Sequence, residues 1–278
     1  MSGETALPLE LLRYEMLLPA FALVLARVAG LVLAVPMFTS QEIPTIVKAW
    51  LAVTLALMAF PVVAPLVPHD LTLGRAAAGM VGEFIIGEVL GLGAGLVFIA
   101  VQIAAKVVSH QSGLALAEAY NPVMGEASTV LDQIWFFGVL MFFLALRGHV
   151  AVVNALLGSF QRVPPMMMTA DASLPEFATG VLRSASEMAL RMCGPVILAL
   201  LLTSLVLGFL SKTMPQINIL TVGFSFKIAT AAFILAITIS FSEGLIADGV
   251  SDGLDQVGAL LEHLADAAGG AGAMNHAG

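Results

Sequence analysis

Residues 192–211 read MCGPVILALLLTSLVLGFLS, twenty positions without one Asp, Glu, Lys or Arg. At about 1.5 Å of rise per residue, a helical run of this length reaches across the ~30 Å hydrocarbon core of a bilayer. Working outward, Met16 to Phe38 carries only Arg27 and Ala49 to Pro68 carries no charge. The stretch between Arg75 and Lys106 includes Glu83 and Glu88, and Ile219 to Ser242 has Lys227 as its one charge. A further apolar region, Gln133 to Phe160, is interrupted by Arg147, Gly148 and His149. It is too long for one straight span and too short for two, which predicts a bent helix or a hairpin of two half-length helices. The sum is about six hydrophobic elements. Their long unbroken runs lack the short alternation of membrane strands, so the expected fold class is all-α, a polytopic helical membrane protein with some elements kinked or hairpin-like.

Composition agrees. Of 278 residues, 59% are hydrophobic and 11% charged, against about 25% charged in soluble domains. So apolar a chain cannot build the charged shell of a soluble enzyme, and disorder is excluded for the same reason. A net charge of −8 gives no reason to expect nucleic acid. Cys193 is the single cysteine, and the five His lack paired metal-ligand spacing. With no nucleophile elbow, Walker loop, dinucleotide fingerprint or zincin motif, neither enzymatic activity nor a cofactor or metal is expected. Glu4, Glu10 and Glu15 outnumber Arg13 before the first apolar run, so that run reads as a retained membrane helix rather than a secretory signal. Residues 1–245 read as one helical membrane domain. Residues 246–278, acidic and then rich in Gly and Ala, read as a partly disordered tail.

Several features inside this frame are candidates for function. Gly87, Gly91 and Gly95 fall four apart and form a nearly flat stripe on one helix face. Such a stripe lets backbones approach closely, within the chain or between subunits. Glu83 and Glu88 lie roughly 140° apart on the same helix, so they do not form one carboxylate pair. Each needs protein, water or a cation beside it, or a proton. A proton relay or a channel lining would use them, and so would an ion pair with Arg27, Lys106 or Lys227. Arg147 and Lys227 count with them as buried charges, although Arg147, with His149, reads equally as a loop apex at the membrane surface. Between Gly113 and Gly125 the connector runs Gly113-Leu114-Ala115-Leu116 to Tyr120-Asn121-Pro122 and Met124. Apolar side chains on an irregular segment need cover, which points to a constriction or, more plainly, to a turn at Asn-Pro. Pro215, Gln216 and Asn218 break the chain between the last two spans, as a tight turn or a polar hook for a partner.

Read together, Arg27-Val28-Ala29-Gly30-Leu31, Pro36-Met37-Phe38, Ile43-Pro44 and Val47-Lys48-Ala49 form an ordered series. It continues with Gln111-Ser112-Gly113-Leu114-Ala115 through Asn121-Pro122, then Gly148-His149 with Ser159-Phe160. Pro215-Gln216-Ile217-Asn218-Ile219, Gly223-Phe224 and Lys227 close it. In order and spacing, across about residues 20–245, the series resembles the FliR family of flagellar export-gate membrane proteins, which is related to subunits of virulence type III secretion. The Gly-His and Gly-Phe pairs favour the flagellar branch. Ser225, where the family often has Pro, and Arg147, where Asn is common, depart from its pattern.

The resemblance implies a non-enzymatic subunit of the flagellar type III protein-export gate, multi-pass in the bacterial inner membrane at the basal body. It implies FliP-like and FliQ-like partners, adjoining FlhB-like and FlhA-like proteins, and unfolded flagellar proteins as the cargo. It also implies that the connector over Gly113–Met124 plugs the closed channel. A different class of function stays open beside it: a proton-coupled secondary transporter using Glu83 and Glu88.

Overall fold

The computed structural model describes residues 6–39, 43–67, 73–114, 129–168, 173–214 and 219–275. The described residues are helical with no strand, as the apolar runs require. In chain order the helices are α1 (Ala6–Ala34), α2 (Pro36–Thr39), α3 (Thr45–Val63), α4 (Leu73–Ala94) and α5 (Leu96–Ser112). After them come α6 (Val130–Ala145), α7 (Gly148–Arg162), α8 (Ser173–Thr213), α9 (Ile219–Ser240) and α10 (Glu243–Asn275). Among the described residues, five helices are long and apolar enough to cross a membrane, or six when α6 and α7 count as one broken span. The break is the two-residue turn Leu146-Arg147, where Arg147 takes a φ of 57°. Gly148 follows because a Cβ there would run into the ring of Phe143.

The acidic stretch read as a tail from residue 246 lies within α10, which runs from Glu243 to Asn275. Its acids Asp248, Asp252, Asp255, Glu262 and Asp266 are exposed, while Ile246, Val257, Leu260, Leu261 and Leu264 are buried. The composition is that of a solvated tail, but the periodicity is that of an amphipathic helix. The chain falls into two compact units. One compact unit comprises Met1–Gly95, His149–Val181 and Asp252–Gly278, and the other comprises Leu96–Gly148 and Leu182–Ser251.

In the first unit α1 and α4 run parallel and in contact. Leu23, Val24, Val28, Leu31 and Val32 of α1 are buried, as are Ile86, Val89 and Leu90 of α4. A Cβ on Gly87 would strike the carbonyl of Arg27, one on Gly91 would strike Ala34, and one on Gly95 would strike Pro36. From the other side, a Cβ on Gly30 would strike the carbonyl of Phe84. The glycine stripe is therefore turned inward, onto α1. Small residues let the two backbones approach, and close backbones gain dispersion contacts along the whole crossing. Helix α3 also contacts α1, burying Ala52, Ala56, Ala59 and Val63 at helical spacing. Within the same unit Gly93 of α4 accommodates Val257 and Gly253 of α10.

In the second unit α5 packs on α6 through an aromatic cluster. The ring of Phe98 lies 5.7 Å from that of Phe136 and 5.1 Å from that of Phe143, with Trp135 and Val139 buried nearby on α6. Helix α9 contacts both α5 and α6. It buries Ala231 and Leu235.

Replacing Gly87 by Ala should lower stability by about 1–3 kcal/mol, because the added methyl meets backbone that cannot rotate away. Gly194, which has open space where its Cβ would be, should tolerate Ala or gain ~0.5–1 kcal/mol. Thermal unfolding of the two variants in mild detergent checks the contrast; equal midpoints would show that the α1–α4 approach is not tight.

Candidate functional site

Arg27 lies within an otherwise apolar span, where a charge left alone costs at least ~2.5 kcal/mol. Close approach of α1 and α4 supplies the answer. Gly87 abuts the backbone at Arg27, and Glu83, one turn earlier on the same face of α4, reaches the guanidinium. Arg27 Nε donates to Glu83 Oε2 at 2.7 Å, and Nη2 lies 2.6 Å from the same oxygen. Both side chains are fully buried. The second carboxylate oxygen, Oε1, accepts the backbone N–H of Met166 at 3.0 Å.

Helix α7 and the turn after it complete the shell. Nη1 of Arg27 donates to Ser159 Oγ at 3.1 Å, while the Ser159 hydroxyl donates to the Leu156 carbonyl at 2.7 Å. Nη2 also donates to the Val163 carbonyl at 2.9 Å. The guanidinium carbon lies 4.1 Å from the centre of the Phe160 ring, a cation–π contact. Met166 holds a φ of 75°, unusual for a residue with a Cβ, in the turn whose amide serves Glu83. Every nitrogen of the guanidinium and both oxygens of the carboxylate are thus engaged, as a buried ion pair must be if it is to survive desolvation.

Sequence reasoning offered Arg27 among three bases for the glutamates, and the structure selects it for Glu83. Ser159, Phe160, Val163 and Met166 were not foreseen as its partners. The only signal was that Ser159-Phe160 stands in the family series. Glu88 and Lys227 are half-buried, and neither has a partner among the described residues. Arg147, counted among the buried charges, is instead exposed, as its loop-apex reading has it. It sits at the α6–α7 break, where the turn directs it outward.

The connector is described at its two ends only. Gly113 closes α5 with a φ of 89°, its N–H donating to the His110 carbonyl at 3.3 Å. The ring of Phe224 occupies the place a Cβ would take there, so no other residue fits. Across the connector, Thr129 and Asp132 form a capping box that starts α6. Ser109 of α5 joins them, 2.8 Å from Thr129 Oγ1 and donating to Asp132 Oδ1 at 2.7 Å. Ser109 and Thr129 therefore clasp the base of the segment between them. Leu114 is described; Ala115, Leu116, Tyr120, Asn121, Pro122 and Met124 lie outside the described residues, as do Pro215, Gln216 and Asn218. The Thr129-x-x-Asp132 spacing was the legible sign of the cap; nothing in the sequence pointed to Ser109.

The family described as bacterial export proteins, family 1, matches residues 18–252. The chain belongs to that family. Among curated proteins it is similar to the flagellar biosynthetic protein FliR of Bacillus subtilis, 28% identical over 228 residues covering 81% of this chain and 87% of that one. The FliR protein of Pectobacterium carotovorum is 29% identical over 233 residues, 80% and 86% of the two chains. That of Escherichia coli is 27% identical over 218 residues, 76% and 81%. The family 1 match extends past residue 245, so it takes in the start of α10.

Within this export-family chain, removing one member of the buried pair leaves the other charged and dry. Arg27→Ala or Glu83→Ala should each cost on the order of 3–5 kcal/mol. Replacing both by apolar residues, Arg27→Met with Glu83→Leu, should cost less than either single change. Chemical denaturation in detergent measures this, and additive losses would mean the two side chains do not act as a pair.

Proposed function

We propose that this chain is a non-enzymatic subunit of the flagellar type III export gate, in the bacterial inner membrane at the flagellar basal body. There it helps to form and close the conduit for unfolded flagellar proteins, beside FliP-like, FliQ-like, FlhB-like and FlhA-like partners. The observation that carries the proposal is the family match over residues 18–252 to export proteins, joined to relatives named for flagellar biosynthesis. The exposed faces of the helices fit membership of a larger assembly. Trp50, Met58 and Val62 of α3 and Leu198, Leu202, Leu205 and Phe209 of α8 offer broad apolar surface to lipid or neighbouring helices.

In the proposed mechanism, the connector over Gly113–Met124 blocks the lumen at rest and an arriving chain displaces it. Two features support this. The connector's apolar residues, Leu114, Ala115, Leu116 and Met124, favour a site covered by protein. The Ser109–Thr129–Asp132 clasp pins the segment at its base, so displacement need not unfold α5 or α6. The segment of Pro215, Gln216 and Asn218 is proposed to dock a neighbouring subunit through the side-chain amides of Gln216 and Asn218. The transporter reading is weaker, since Glu83 is committed to Arg27 and a two-carboxylate relay loses one member.

Deleting residues 113–124 should raise ion leak through the assembled gate, read as membrane conductance or salt sensitivity of growth; an unchanged leak removes the plug from the mechanism. Replacing Gln216 and Asn218 by Ala should reduce co-purification of the partner subunits and swimming. Intact assembly and motility in that variant would sink the docking role.

A further inference from the structure

Glu83 and Glu88 stand five residues apart on one membrane-length helix and are treated in opposite ways. Glu83 is enclosed and fully bonded. Glu88 is only half-buried and has no hydrogen bond or ion pair among the described residues. At 100° per residue, Val81, Phe84 and Leu92 lie within about 40° of Glu88. Val81 is 64% exposed, and Phe84 and Leu92 are half-buried. This face flanks the glycine stripe at the edge of the α1–α4 crossing, where a Cβ on Gly30 of α1 would lie 3.0 Å from the backbone nitrogen of Glu88. It is an apolar strip bearing one carboxylate.

The surroundings restrict what can answer that carboxylate. Glu88 lies six residues before the end of α4, about 9 Å inside it, and beyond Gly95 the chain continues apolar from Leu96. A lipid headgroup amine at the bilayer surface is therefore badly placed to reach it. Among the described residues no Lys or Arg pairs with Glu88, and Arg27 is spent on Glu83. We infer that the α4 face of Val81, Phe84, Glu88 and Leu92 is a subunit interface. It receives a helix of another polypeptide that presents a Lys or Arg to Glu88 amid apolar side chains. The inference rests on the chain being a subunit of an assembly, and it names the chemistry of one contact.

A basic residue in that position is more than a local convenience. In a low-dielectric interface a lone carboxylate is unfavourable, and so is a lone ammonium on the partner helix. Docking satisfies both, while either helix mispaired with an apolar surface keeps an uncompensated charge. The pair thus discriminates the correct neighbour and register as well as adding affinity.

The test uses cells producing the full chain with its gate partners, and the photoreactive residue p-benzoylphenylalanine in place of Val81 or Leu92. Illumination should yield an adduct with a second polypeptide. Glu88→Gln should lower that yield at least about tenfold, as loss of one side of a desolvated charge pair does. Glu88→Asp should retain most of it, which separates lost charge from a disturbed fold. Glu88→Lys should abolish the adduct, and Lys or Arg→Glu at the crosslinked partner helix should restore it. Adducts confined to lipid, or a polypeptide adduct indifferent to Glu88→Gln, overturn the inference. Co-purification of small hydrophobic partners with the unaltered chain tests the subunit reading separately. If partners come down but the adduct ignores Glu88, only the interface assignment fails.

Discussion

A guanidinium placed halfway along a membrane-length helix has to be answered by protein before the helix is tenable. Here the answer comes from three separate pieces of chain: Glu83 on α4, Ser159 and Phe160 on α7, and the turn that follows at Val163 and Met166. Each is too far away in sequence to be supplied by local structure. Arg27 therefore acts as a nucleus that specifies which helices must meet and in what register. Such a pair adds little net stability over well-packed apolar residues of the same volume, since desolvation consumes most of the Coulomb gain. What it contributes is a heavy penalty on every arrangement that separates its members.

That nucleus is possible only because of glycine. Arg27 and Glu83 have side chains of ordinary length, and their atoms meet within hydrogen-bond distance because Gly30 and Gly87 let α1 and α4 approach backbone to backbone. In lipid the apolar faces of helices gain nothing by leaving their surroundings, so dispersion over a close crossing and the buried polar contacts must hold the pair together. Glycine stripe and ion pair are thus two halves of one device. The first sets the distance that the second needs.

The second compact unit solves a different problem, that of holding a connector by its ends. Gly113 terminates α5 in a conformation closed to other residues, Thr129 and Asp132 start α6, and Ser109 ties one end to the other. A segment anchored this way has its two ends fixed at little cost to the helices that flank it. Fixed ends of this kind accord with the conduit role proposed for the family member.

The sequence alone determined the class of structure, because apolar length and scarcity of charge leave helices as the only economical way to satisfy the backbone in a membrane. It also picked out Arg27, Glu83, Glu88 and the glycine stripe, since charges and four-residue glycine spacing stand out against Leu and Val. From residue 246 acidic composition concealed the buried line Ile246, Val257, Leu260 and Leu264, and for Arg147 the sequence left open a loop apex or a place in the bundle, where the structure has it exposed. Only the tertiary structure decided which base met which acid, because ion pairing depends on distances between segments some 56 to 136 residues apart. Those distances are fixed by how backbones pack in three dimensions, and no periodicity along one helix encodes them.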